Sequence, residues 1–195
     1  MAPSLRLTTL ENQAPTCEVL SVAVHDSVRL DRSGAVIGGP QLDVVLWNQD
    51  RGPAVDLCVV VEIRALRPND LAEVTLAIMG GNGAYDIGSA SMVFQLTKKQ
   101  ALVIFEFDSL ELGPEFWRNP KSLSKVLFRV RPGRSAEPFD RSLPVVNLGP
   151  NRQVRNHGAP KAVLGQSSPQ EKQIVWTRHE NPLNCYPRSA AALGK

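Results

Sequence analysis

Val55-Asp-Leu-Cys-Val-Val-Val-Glu-Ile-Arg64 is the stretch that decides the fold class. Val55, Leu57, Val59, Val61 and Ile63 fall on one side of an extended chain; Asp56, Cys58, Val60, Glu62 and Arg64 fall on the other. A two-residue period over ten positions predicts a half-buried antiparallel strand. A helix would spread the same apolar positions around its circumference.

Working outward, turn signals and further strands alternate. Upstream, Gln41–Trp47 (QLDVVLW) joins this strand through Asn48-Gln-Asp-Arg-Gly-Pro53, whose residues suit a hairpin loop. Glu18–Val24 reads as a strand, and Asp31-Arg-Ser-Gly34 as a turn into a short strand at Ala35–Ile37. Downstream, Arg67-Pro-Asn-Asp70 turns the chain into Leu71–Ile78, and a mobile glycine-rich loop is expected at Met79–Gly88. Met92–Leu96, Ala101–Phe107 and Val126–Arg131 follow, with a last edge strand at Leu143–Leu148 that tolerates Pro144 near its start. Short helical segments are expected only at 114–117 and 121–125. The sum is an all-β fold: an antiparallel β-sandwich or barrel, jelly-roll-like arrangements included, of about eight short strands.

Composition narrows the class. The chain has 195 residues, 43% of them hydrophobic, so a core can form. No apolar run approaches the ~18 residues of a spanning helix, and no integral membrane insertion is expected. Cys17, Cys58 and Cys185 are far apart and form no CxxC pair, which points to a reducing, cytoplasmic setting.

Charge is unevenly distributed. Residues 1–117 carry 8 basic and 15 acidic side chains, whereas residues 118–195 carry 14 basic and 4 acidic. From Gly149 to Lys195 neither structural period is sustained. The expected organisation is a flexible arm at 1–16, a β-domain at 17–148 and a basic, largely disordered C-terminal tail at 149–195.

Signals for catalysis are weak. The glycines of Met79–Gly88 are not followed by GK[ST] and a helix, as a phosphate loop requires. His25, His157 and His179 share no metal-ligand spacing. Cys58 lies near Asp56 and Glu62, and neighbouring carboxylates disfavour a thiolate. Glu106 and Asp108 can share a face and hold a cation, but they also fit the solvated end of an edge strand. No catalytic residue, metal site or cofactor is assigned, and a non-enzymatic protein is expected.

Two readings of function stay open. In the first, a self-associating β-domain binds single-stranded nucleic acid, RNA more readily than DNA, through its basic tail. Arg152, Arg155, Lys161, Lys172, Arg178 and Arg188 would neutralise phosphates, and Trp176 and Tyr186 would stack on bases. Viral coat and movement proteins use this layout, which would place the chain in the host-cell cytoplasm or a virion. In the second, the module serves protein interaction and assembly. Its tail docks on a partner protein, with Ile174, Val175 and Trp176 as a hydrophobic latch onto the body or a neighbouring subunit.

Overall fold

A computed structural model describes residues 15–30, 32, 35–47, 54–67, 69–111, 125–147, 162–166 and 172–180. Ten strands lie between Cys17 and Asn147: β1 (Cys17–His25), β2 (Val28–Leu30), β3 (Ala35–Gly38), β4 (Val45–Trp47), β5 (Ala54–Ala65), β6 (Leu71–Gly80), β7 (Tyr85–Gln95), β8 (Gln100–Glu111), β9 (Lys125–Pro132) and β10 (Phe139–Asn147). Two more follow, β11 (Ala162–Gln166) and β12 (Gln173–Glu180). The fold is all-β, as expected, with more strands than the eight anticipated. β4 falls inside the expected Gln41–Trp47 strand, whereas the three residues of β2 are too few to show a period.

The strands form three sheets, ordered β1-β5-β8-β12, β4-β10-β9-β6-β7 and β11-β3-β2. The first two face each other as a sandwich. Leu57, Val59, Val61 and Ile63 of β5 and Val103 and Phe105 of β8 meet Val74, Leu76 and Ile78 of β6 and Phe128 and Val130 of β9. All are essentially closed to solvent, and each such burial stabilises by about 1.5–3 kcal/mol before the entropy of ordering is subtracted.

β5 departs from its simple alternation. Its second face is not wholly polar, because Cys58 and Val60 are also buried. There the small β11-β3-β2 sheet lies over the four-stranded sheet, and Val28 and Val36 close a second core on Cys58, Val60, Leu102 and Ile104. The described residues thus form three layers and two cores.

Two further expectations are corrected. The glycine-rich stretch is a tight hairpin and not a long loop. β6 and β7 pair up to Gly80 and Tyr85, and a single 3-10 turn at Gly81–Gly83 joins them. Gly83 sits at φ 92°, a conformation that costs glycine little and other residues more. β10 is not an edge strand, since β4 pairs with it in parallel from Val145 to Asn147. That pairing starts one residue after Pro144, whose missing N–H therefore breaks no bond to β4. Within the region expected as a basic tail, the described residues form β11 and β12, antiparallel on β3 and parallel on β8. The expected arm lies outside the described residues except for Pro15 and Thr16. So do the helical segments, apart from Lys125, which opens β9.

Candidate functional site

β12 is the feature that brings candidate residues together. It lies alongside β8 from Gln173 opposite Ala101 to Glu180 opposite Asp108. The register across β1, β5, β8 and β12 sets up rows of side chains on the face toward the small sheet. One row is Ala23, Val60, Ile104 and Trp176; the next is His25, Cys58, Glu106 and Arg178. Alternation then puts Ile174 and Trp176 against the second core, while His179 turns to the opposite face, beside Phe105 and Phe107.

Polar contacts fix the strand along its length. Trp176 Nε1–H donates to Glu106 Oε2 at 3.0 Å. Arg178 Nε pairs with Asp108 Oδ2 at 2.5 Å, and Lys172 Nζ with Glu62 Oε1 at 2.8 Å. At the start of the strand the Gln173 amide bridges the turn before β8. Its Oε1 accepts from Thr97 N–H and Oγ1–H at 2.9 and 3.1 Å, and its Nε2–H donates to the Gln95 carbonyl at 2.9 Å. The Lys98 ammonium adds a 3.4 Å bond to the Lys172 carbonyl.

Three of the eight residues expected to touch nucleic acid are therefore engaged with the body of the same chain: Lys172, Trp176 and Arg178. Arg152, Arg155, Lys161, Tyr186 and Arg188 lie outside the described residues. Of the two roles considered for Trp176, a latch and a base-stacking platform, the latch is the one the contacts form. Glu106 and Asp108 are not the solvated end of an edge strand either. β8 is an inner strand because β12 covers it, and the two carboxylates receive an indole and a guanidinium.

The sequence reading missed Gln173, Glu62 and His179 as parts of this arrangement. A faint signal was present: Lys172, Ile174, Trp176 and Arg178 share one parity, as do Leu102, Ile104, Glu106 and Asp108. In the observed register Ile174 and Trp176 stand opposite Leu102 and Ile104, and Arg178 stands opposite Glu106.

The nucleophile and base candidates are held in unreactive states. Burial pushes the Cys58 thiol up to about 12, helped by the charges of Glu106, Asp108 and Asp26 and opposed by a hydrogen bond at Val28. Cys17 is pushed up to about 11, again by burial. A thiolate, the reactive form, is scarce at either position near neutral pH. His25 is 1% exposed, and its Nδ1–H donates to the Gly39 carbonyl at 3.0 Å, not to Asp26. The chain is tight here: a Cβ on Gly39 would fall 2.1 Å from Asp26 Oδ1. Among the described residues no three His, Cys, Asp or Glu side chains converge on a point where a metal ion could sit.

His179 couples docking to pH. Its ring stacks 5.4 Å from Phe107, its Nε2 is buried without a partner among the described residues, and burial lowers its pKa below the usual 6.5. The unfolded chain therefore takes up a proton at this site before the folded one does. Stability is complete above the unfolded value and declines as pH falls through 6.5 toward the lowered folded value. His179→Phe is expected to flatten this part of the pH dependence. Urea midpoints for variant and wild type, measured at intervals from pH 8 to 5, check it; parallel curves would refute it.

No helix among the described residues is long and apolar enough to cross a membrane. No protein-family model and no curated protein sequence matches the chain.

Proposed function

We propose that the chain is a non-enzymatic assembly module: a self-associating β-sandwich whose C-terminal segment acts by strand docking. The observation that carries this reading is the seating of β12 on β8, apolar in the middle and ionic toward both ends. A strand held by backbone pairing and alternate side-chain pockets is a recurrent device of protein recognition. Here it completes a sheet edge that would otherwise be open and apolar on both faces. The same acceptor edge can take a matching strand from a partner protein.

A second reading is favoured by the charge division, 14 basic to 4 acidic side chains in residues 118–195. In it the same module binds single-stranded nucleic acid, RNA before DNA, as a viral coat or movement protein would. Arg152, Arg155, Lys161 and Arg188 would meet phosphates and Tyr186 a base, while Lys172, Trp176 and Arg178 anchor the segment to the body.

One experiment tests both readings: light scattering on a sizing column with the 260/280 nm absorbance ratio, at low and high salt. Assembly predicts an oligomer of unchanged size at both salts with a protein-like ratio. Nucleic-acid binding predicts a nucleic-acid-like ratio that falls in high salt. A monomer with a protein-like ratio throughout overturns both.

A further inference from the structure

The sheet edges are not treated alike. At one end of the four-stranded sheet, β12 carries Arg178 in a solvent-exposed position, paired with Asp108. At the other end, β1 is partly covered: Gln41 bridges to His25, and Leu42 N–H donates to the Val24 carbonyl at 2.7 Å. β2 and β4 are three residues long and β11 five, too short to recruit a partner strand readily. Such charges, covers and short lengths are the usual means by which sheets avoid edge-to-edge pairing.

β7 has them only at its two ends: exposed Asp86 and the irregular Ile87 lie near its start, and the Gln173 amide donates to the Gln95 carbonyl at its close. Among the described residues it ends the five-stranded sheet, pairs only with β6, and spans eleven residues. From Ile87 to Gln95 (IGSASMVFQ) it contains no charged residue and no proline. The register irregularity leaves Ile87 of β7 as the extra residue between the pairs Ile78/Gly88 and Met79/Asp86, so β7 runs regularly only from Gly88 toward Gln95. On its solvent face Ser89 and Ser91 are exposed and Val93 is 62% exposed, next to Leu71 at the adjoining end of β6, 67% exposed. The Lys98 and Lys99 cations lie beyond the strand, in the turn that follows.

We infer that the β7 edge is the surface through which two copies of this chain associate. The paired strands run antiparallel about a two-fold axis, so the two five-stranded sheets become one sheet of ten. The occupant is a second copy because an antiparallel pair of identical strands satisfies both edges at once and closes after a single step. Lack of charge favours the same choice. A charged edge placed opposite itself would set like charges against each other, whereas serine, alanine, methionine and valine meet their own kind without penalty. Exposed Val93 is then covered by the partner strand. This inference rests on the assembly reading and names the surface it uses.

Sedimentation equilibrium of the full chain tests it, comparing wild type with Ser91→Lys and Val93→Lys. Both side chains are exposed, so urea midpoints should match wild type and confirm folding. Each lysine brings a cation close to its symmetry mate and is expected to raise the dimer dissociation constant by at least about tenfold. Independently, Ser91→Cys in a Cys185→Ser background should form an intermolecular disulfide under mild oxidation. A wild-type dimer that both lysine variants retain, with no cross-link at 91, overturns the β7 interface and leaves the assembly reading standing. A wild-type monomer overturns both together.

Discussion

Phe105→Ala is expected to lower the unfolding free energy by about 3–5 kcal/mol, the cost of emptying a large aromatic site in a core that cannot fully collapse. Phe105 is fully buried at the centre of β8, opposite Val59 on one side and Thr177 on the other. Its ring also stacks on His179 at 6.2 Å. One substitution therefore loosens the sandwich core and removes part of the seat of β12. Against a typical total of about 5–15 kcal/mol, the loss is a large fraction of the stability. Urea unfolding followed by far-ultraviolet circular dichroism measures it, with Phe105→Leu as the milder comparison. A loss below about 1 kcal/mol for the alanine variant would mean that the two sheets do not close on this ring.

Trp176→Ala is expected to act on the C-terminal strand and leave most of the sandwich folded. Trp176 contributes half-buried aromatic area to the second core and a 3.0 Å hydrogen bond to Glu106. Removing both is expected to weaken docking by about 2 kcal/mol, on the scale of burying one apolar side chain plus one hydrogen bond. Limited trypsin digestion gives the readout, because Lys172 and Arg178 flank the tryptophan and backbone zipped into a sheet resists cleavage. The variant should be cut at these positions faster than wild type by roughly thirtyfold, while cleavage at Arg134, in the turn between β9 and β10, stays nearly unchanged. Trp176→Phe separates the contributions, since it keeps ring area and loses the donor. Equal cleavage of all three proteins at 172 and 178 would refute the latch.

Much of the architecture was readable in the chain because strands of ordinary length declare themselves locally. Leu71–Ile78 and Val55–Arg64 alternate cleanly, and each became a strand within one or two residues of its expected bounds. What escaped reading was relational. Cys58 and Val60 share the mixed side of β5 with Asp56, Glu62 and Arg64, and nothing in their own neighbourhood says that a second sheet covers them. Their apolar character on that face was the only hint. β12 escaped for a similar reason. Its six clearest residues, Gln173–Arg178, are too few to establish a period, and the strand owes its form to a parallel partner far earlier in the chain. The candidate site followed the same rule. Lys172 and Arg178 could be recognised as cations, but the carboxylates that claim them, Glu62 and Asp108, sit on other strands.

The parallel pairing of β8 with β12 also has a consequence in time. Asp108 and Glu180 face each other across 72 positions of sequence. At a synthesis rate of about 5–20 residues per second, β8 waits roughly 4–14 s on the ribosome before its outer neighbour has been made. During that wait the nascent sandwich presents a strand with unspent hydrogen bonds and apolar side chains on both faces. Newly made copies emerging close together on one message would meet one another in this unfinished state. β12 thus acts as a timer, and its arrival ends the period in which β8 is most open to capture by its neighbours.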